Sequence, residues 1–430
     1  MKFRGITLLV VALLLTTLTA FSTPAQAGRN YTPRDGGYFN HPRESKREET
    51  RIERTILKTI NHAKRGSRIR ISLFSFDRQR MAQALVRAKK RGVRVQVLLN
   101  NHQFTPAQRI LKQGLGGKRR KKSFSYECHF GCRHFQLGEN LHTKMFLFSE
   151  LKSGATNIVF TGSLNLTENS VVNQWNDMLS RPNDPALMAG MDELWREMRR
   201  DKRAKEPYFV RQAGEFHLQA TPFPNPTSTT DPEMAILNQI DCVTPPAAGF
   251  GHNGRTVVRV SMHSWADARG VYLAKKMRDL YAAGCDVQVM YGMAGVAVRK
   301  ALATRTPRGY LPVHVDGYDT DYDGEIDLYS HQKYLAVSGT YEGNPANGGV
   351  WTGSSNWNFG GLRGDEMIIR LPYRYYGQWL QNFEYIWKHG SHLARFIPYL
   401  VPGTSGRMVV QDTEPVDQPN LRKGEAWEDD

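Results

Sequence analysis

His142-Thr143-Lys144-Met145-Phe146-Leu147-Phe148 and His331-Gln332-Lys333-Tyr334-Leu335-Ala336-Val337 follow one pattern, a His-x-Lys that runs into an apolar strand. Each is trailed by a Gly-Ser-x-Asn turn, Gly162-Ser163-Leu164-Asn165 and Gly353-Ser354-Ser355-Asn356. From His to Gly is 20 residues in the first copy and 22 in the second. A lone His-x-Lys is commonly a solvated strand face, and a lone Gly-Ser-x-Asn commonly a turn. Their doubling makes coincidence a poor explanation.

The sequence around the motifs repeats as well. A helical pattern begins at Arg51, with Ile52, Ile56 and Ile60 on one face, and Gly66 ends it. Arg68 to Phe76 reads as a strand, Arg78 to Arg91 as an amphipathic helix and Val93 to Leu99 as a second strand. This strand–helix–strand unit implies parallel pairing and a right-handed crossover. Arg255 to Trp265, Ala266 to Ala283 and Asp286 to Tyr291 repeat the plan. Ser72-Leu73-Phe74-Ser75-Phe76 corresponds to Ser261-Met262-His263-Ser264-Trp265. A near-constant offset across strands, motifs and turns indicates duplication. The Pro- and Thr-rich stretch 221–232 reads as a semi-rigid linker. The expected organisation is a first domain over 28–220, a second over 221–410, and a polar acidic tail at 411–430.

Residues 1–27 differ in kind. Lys2 and Arg4 precede an apolar run from Ile6 to Phe21, and Ala25-Gln26-Ala27 is a small-x-small cleavage site. This predicts a secretory signal peptide and an exported, soluble, extracellular protein. Its loss lowers the formal charge from +17 to +15, and a surface so basic favours polyanions. Four cysteines suit an oxidising compartment. The simplest pairing is local, Cys128 with Cys132 and Cys242 with Cys285. A zinc reading of Cys128, His129, Cys132 and His134 lacks a standard spacing.

On a strand, residues i and i+2 share a face, so His142 projects with Lys144 and His331 with Lys333. If the halves pack about a pseudo-twofold axis, one pocket receives both pairs, together with Ser163, Asn165, Ser354 and Asn356. That set suits a phosphodiester. One imidazole can attack phosphorus and form a phosphohistidine. The other, protonated, can serve the leaving oxygen and then activate water. The lysines, Asn165 and Asn356 would offset charge on phosphorus, and Ser163 and Ser354 would bind substrate oxygens. No metal or other cofactor is expected for this chemistry.

The pattern resembles the phospholipase D superfamily, whose signature is His-x-Lys-x4-Asp followed by Gly-Ser-x-Asn, twice per active site. The resemblance covers both halves. It implies an α/β fold of two duplicated α/β/α sandwich domains related by a pseudo-twofold axis, with the active site at their interface. It also implies an acidic residue behind each histidine, for which Asp177 and Glu366 are the candidates, and a nucleophilic role for His142 with His331 as acid. One departure is shared by both copies: Ser149 and Ser338 stand where the signature ends in Asp.

The leading expectation is a secreted phospholipase D-type enzyme that hydrolyses or exchanges phospholipid headgroups at a membrane surface. The export leader and the aromatics Trp351, Trp357 and Phe359 motivate it. The alternative is a secreted, metal-independent nuclease, favoured by the charge and by the basic run Lys118 to Lys122. A binding module on an inactive scaffold is the third reading. No protein partner is expected, and the chain reads as a monomer. Asp319 to Asp327 matches the first nine positions of a calcium loop but has Ser330 where the bidentate Glu belongs. It reads as a candidate structural calcium site or an acidic turn.

Overall fold

The computed structural model describes residues 31–42, 44–134, 139–318, 320, 326–394, 396–400 and 408–412. The expected leader and nearly all of the tail lie outside them. Among the described residues, no helix is long and apolar enough to cross a membrane.

The first sheet draws on β1 (Gly36–Phe39), β2 (Arg68–Leu73), β3 (Arg94–Asn100), β4 (Phe124–Cys128), β5 (Met145–Glu150) and β6 (Thr156–Gly162). A two-residue strand β7 (Gln174–Trp175) leads into its last member, β8 (Asp177–Arg181). The spatial order is β1-β8-β6-β5-β2-β3-β4. β2, β3 and β4 are parallel, as the strand–helix–strand reading requires, and β5, β6, β8 and β1 run antiparallel.

The second sheet takes in β9 (Phe209–Ala213), β10 (Phe216–Ala220), β11 (Ile240–Asp241), β12 (Val257–Trp265), β13 (Asp286–Ala294) and β14 (Val313–Val315). After the two-residue strand β15 (Tyr329–Ser330) come β16 (Lys333–Tyr341), β17 (Asn344–Gly353), β18 (Met367–Leu371) and β19 (His392–Leu393). Its order is β19-β14-β13-β12-β16-β17-β18-β10-β9, with β11 on β16. β12 and β13 are parallel.

Apolar periodicity decides the layers. Ile52, Ile56 and Ile60 of helix Arg51–His62, and Met81, Leu85 and Ala88 of helix Gln79–Lys90, bury one face against Ile69, Ile71, Val95 and Val97. Leu273, Met277 and Leu280 of helix Asp267–Ala282 do the same over Val258, Val260, Val287 and Val289. Each fully buried side chain of this size contributes about 1.5–3 kcal/mol. Between the sheets lie helices Pro185–Arg200 and Tyr376–His389. Their Trp195, Trp379 and Phe383 share one core with Leu147 and Val159 of the first sheet and Tyr334 and Val350 of the second.

The expected boundary at 220/221 needs correction. The hairpin β9–β10, assigned by sequence to the first half, pairs antiparallel with β18 and extends the second sheet. An exposed strand edge is satisfied by hydrogen-bonding a neighbour, and β18 offers the edge that β10 fills. The stretch 221–232 is also more than a spacer. Thr221, Asp231 and Pro232 are buried, and the Phe223 N–H donates to the Leu362 carbonyl at 2.8 Å.

Candidate active site

The two motifs meet because each half lends the other a strand end. β15, just before His331, pairs in parallel with β7 of the first half. Leu141, just before His142, bridges in parallel to Asp365 of the second. The His331 N–H donates to the Trp175 carbonyl at 2.9 Å, and the His142 N–H to the Asp365 carbonyl at 3.1 Å. Both histidines are therefore held at the backbone by the opposite half.

Their side chains follow the same symmetry up to a point. Lys144 Nζ donates to the His142 carbonyl at 2.9 Å, and Lys333 Nζ to the His331 carbonyl at 2.8 Å. Both lysines are buried. His142 Nδ1 lies 2.7 Å from Glu366 Oε1. When Glu366 is ionised it accepts, and this contact then places the proton on Nδ1 and the lone pair on Nε2.

Behind His331 the acidic expectation fails. Its Nδ1 lies 3.1 Å from the amide oxygen of Asn176, while Asp177 Oδ2 accepts from the Thr352 hydroxyl and from Trp379 Nε1. Asn176 Nδ2 donates to the Ser170 carbonyl at 2.9 Å, which fixes the amide with its oxygen toward His331. The backbone explains the slip. Ser163 exchanges hydrogen bonds with Asp177, and Ser354 exchanges the same two with Met367. Asp177 is therefore the counterpart of Met367, and Asn176 the counterpart of Glu366. Reading for an acidic residue selected the position one place too far along the chain.

The expected substrate-binding serines serve elsewhere. Ser163 Oγ donates to Asn176 Oδ1 at 2.8 Å and accepts from the Asp177 N–H at 3.0 Å. Ser354 Oγ accepts from the Met367 N–H at 3.0 Å and also bonds Glu366. Each serine holds the group that backs a histidine. Asn165 is fully buried; Oδ1 lies 3.4 Å from the Ser75 N–H, and Nδ2 has no partner among the described residues. Asn356 is fully buried, and its carbonyl accepts from Arg269 Nη1 at 2.6 Å. Arg269 is itself buried and bonds Asp231 and Glu233, so a buried ion cluster anchors the second turn.

A third histidine borders the pocket. His263 is buried, its ring centroid 4.6 Å from that of His331, edge to face, and it stacks on Tyr329. Its counterpart in the first half is Phe74, edge to face with His142 at 5.1 Å and stacked on His102 at 4.0 Å. The sequence repeat aligned His263 with Phe74, and that exchange of a phenyl for an imidazole was the available signal.

Burial sets the charge states. It pushes His331 well below its ordinary pKa, with Lys333, His263, Lys144 and His142 adding to the effect. His263 is lowered for the same reasons. Burial lifts Glu366 to about 7, against the pull of Lys144, Ser354 and Lys333. Asp177 is also raised by burial.

Cys128–Cys132 and Cys242–Cys285 are disulfides, so none of the four is a metal ligand. Ser149 Oγ accepts from the Arg68 N–H at 2.8 Å and Ser338 Oγ from the Gly251 N–H at 3.1 Å. Both lie five residues along a strand from the motif lysine, about 17 Å away. Trp357 packs edge to face on Trp265 at 4.6 Å, and Trp351 lies 5.0 Å from Tyr341. At 3% and 5% exposed, these tryptophans are core and cannot meet a lipid interface. Residues 319 and 321–325 of the acidic loop lie outside the described residues; Asp327 Oδ2 accepts from the Thr320 N–H at 2.7 Å.

Residues 56–201 match the family described as "Cardiolipin synthase, PLD-like domain". No curated protein sequence matches the chain. Among solved structures, the chain is similar to polyphosphate kinase from Porphyromonas gingivalis at 12% identity and TM-score 0.51. The similarity covers 82% of this chain and 50% of that one, so the chain spans about half its length. It is similar to phosphatidylserine synthase from Haemophilus influenzae at 12% identity and TM-score 0.50, over 80% of this chain and 86% of that one. Nuc from Salmonella typhimurium, a phospholipase D family member, aligns at 20% identity over 39% of this chain and 96% of its own, with TM-score 0.30. The first two show a shared fold. Members of the superfamily act on phosphodiesters or in phosphoryl transfer. Residues 56–201 therefore match a phospholipase D-like domain, and the same His-x-Lys and Gly-Ser-x-Asn set recurs in the second half.

Proposed function

We propose that the chain is a phosphodiesterase working through a phosphohistidine. The observation that carries this reading is the pairing of His142 and His331, each held by the opposite half, each with a buried lysine beside it and a hydrogen-bond acceptor at Nδ1.

The two acceptors differ, which supports different roles. Ionised Glu366 behind His142 sets the Nε2 lone pair toward phosphorus and offsets the positive charge gained when nitrogen bonds phosphorus. Asn176 behind His331 is neutral. It orients the ring without stabilising the imidazolium as a carboxylate would, so the protonated form is a stronger acid. In the first step His142 Nε2 bonds phosphorus, the bond from phosphorus to the leaving oxygen breaks, and His331 gives that oxygen its proton. In the second step neutral His331 takes a proton from water, the water oxygen bonds phosphorus and the N–P bond breaks. An alcohol in place of water gives transfer. Lys144, Lys333 and the Asn165 amide supply donors for the non-bridging oxygens, and the scheme routes no step through a metal.

Two substrate classes fit. Headgroup hydrolysis of a phospholipid retains the support of the export leader but loses that of the buried tryptophans. Nucleic-acid cleavage retains the basic charge, and its uneven distribution favours this second reading. The test uses purified protein in chelator with phosphatidylcholine vesicles, plasmid DNA, single-stranded DNA and the small diester bis(p-nitrophenyl) phosphate. Wild type should release product from at least one, and His142→Ala and His331→Ala from none. Equal rates for wild type and variants on every substrate would overturn the proposal.

A further inference from the structure

Residues 51–122 hold 21 of the 58 Lys and Arg and only 2 of the 41 Asp and Glu. Over the rest of the chain acids slightly outnumber bases, so the whole net charge resides in this segment. Of its two acids, Glu53 is buried against Arg78 and Asp77 is half-buried. The segment builds three helices, Arg51–His62, Gln79–Lys90 and Pro106–Leu115, which lie side by side on the outer face of the first sheet, away from the second half.

The cations concentrate at the C-terminal ends of these helices. Gly66 N–H donates to the Gly92 carbonyl at 3.1 Å, and Lys89 Nζ to the Gly114 carbonyl at 2.7 Å, so the three ends are adjacent. Arg87, Lys90, Arg94, Lys121 and Lys122 are exposed there. The basic run joins them because the Val95 N–H donates to Ser123 Oγ and Gln96 Nε2 to the Lys122 carbonyl. This is the N-terminal end of β2 and β3, and the histidine pocket is at the other end. Asn100, which closes β3, accepts from the Leu141 N–H beside His142. Strands of six and seven residues separate the two regions by about 20 Å.

Between them, on the loop that follows β3, Phe104 is 49% exposed. Lys112 Nζ lies 5.3 Å from its ring centroid and the Arg109 guanidinium carbon 6.0 Å. Two residues before it, His102 stacks on Phe74, which meets His142. An exposed ring flanked by cations, on a path of cations that ends at a phosphodiester-type pocket, suits a chain of alternating phosphates and flat bases. A planar bilayer cannot touch both the basic end and a pocket at the opposite end, whereas a flexible strand can follow the surface.

We propose that the outer face of the first half is a docking surface for nucleic acid, on which backbone phosphates engage the helix ends and a base stacks on Phe104. This rests on the second substrate reading but is separable from catalysis, because it requires only binding. Fluorescence anisotropy with catalytically silent His142→Ala protein and labelled single-stranded and duplex DNA tests it, with a salt series and phosphatidylglycerol vesicles in parallel. The log-affinity should fall with log salt with a slope of about −0.9 per phosphate engaged for duplex and about −0.7 for single-stranded DNA. Adding Arg87→Gln, Lys90→Gln, Lys121→Gln and Lys122→Gln should weaken DNA binding at least tenfold and flatten that slope. Adding Lys275→Gln, Lys300→Gln, Arg305→Gln and Lys388→Gln, which removes four exposed cations of the second half, should change affinity less than threefold. Phe104→Ala should weaken single-stranded DNA more than duplex.

Equal losses from the two quadruple variants would overturn the proposal, as would tighter binding to vesicles than to DNA. In an otherwise wild-type background, the first-half quadruple variant should cleave bis(p-nitrophenyl) phosphate at the wild-type rate. If wild type leaves all four substrates intact while His142→Ala still binds DNA through this face, the catalytic proposal fails and the docking proposal stands.

Discussion

At the scale of single residues, the difference between Glu366 and Asn176 is the feature with most chemical content. Both face a histidine Nδ1 from equivalent backbone positions, yet one can ionise and the other cannot. Asn176→Asp should give His331 a carboxylate like that of His142. The pKa of the acid in the profile of kcat/KM should then rise by about one unit, because an adjacent anion favours the imidazolium. Asp177→Asn should leave that profile unmoved. It would keep an oxygen for the Thr352 hydroxyl and Trp379 Nε1 but bury an amide NH2 in place of Oδ1, and should cost about 1–3 kcal/mol of stability. A profile that moved with Asp177 and not with Asn176 would refute the assignment. Glu366→Gln should lower kcat on the order of 10²-fold with the fold intact, as circular dichroism would check.

At the scale of elements, the second Gly-Ser-x-Asn turn is anchored by charges in the core. Arg269 reaches the carbonyls of Asn356 and Asn358 while bonding Asp231 and Glu233. Asp231 is drawn down to about 2 by Arg269, and burial lifts Glu233 to about 7. Arg269→Met would strand two buried carboxylates and free two carbonyls. Unfolding in urea should show a loss of about 3–5 kcal/mol, with activity falling through the displaced Asn356. The helices and strands themselves were legible in the chain. Ile52, Ile56 and Ile60 at a spacing of four, and the alternation from Arg68, are enough to identify a helix and a strand because period alone decides which face is buried. The hairpin at 209–220 was not assignable that way. Its residues report that they form a strand pair, but the edge they join lies some 150 residues further along the chain, and only the fold brings β18 there.

At the scale of the whole molecule, the halves are not separable units. Each supplies a backbone carbonyl and a side-chain acceptor to the other's histidine, and Trp195, Trp379 and Tyr334 share one core between the sheets. Cut at the linker, residues 28–220 and 221–430 should each be inactive, with turnover of the small diester regained only when the two are refolded together. The pH response also belongs to the whole fold. Burial raises Glu366, Asp365 and Asp316 to about 7 from ordinary carboxylate values. The folded state therefore binds more protons than the unfolded chain between about pH 4 and 7, and these groups lose stabilising effect as pH rises through that window. His263 and His331, lowered by burial, act oppositely and reduce stability as pH falls below their unfolded value. In Asp316→Asn the oxygen that faces the Ser330 N–H is kept and the ionisation is removed. Its Tm relative to wild type should rise as the pH is taken from 5 to 8; a constant difference would contradict the buried-carboxylate account.

The sequence by itself determined the duplication, the parallel strand–helix–strand core of each half, and the identity of the two His-x-Lys pairs. All of these are carried by local spacing or by repetition at a fixed offset. Tertiary structure alone decided which half each strand end serves, that Asn176 and not Asp177 stands behind His331, and that the serines hold those backing groups. It also decided that His263 enters the pocket and that Trp351 and Trp357 are core. Each of these depends on contacts between residues far apart in the chain, or on a one-residue register at the start of a strand. A one-residue shift turns a side chain to the other face, and composition carries no record of it.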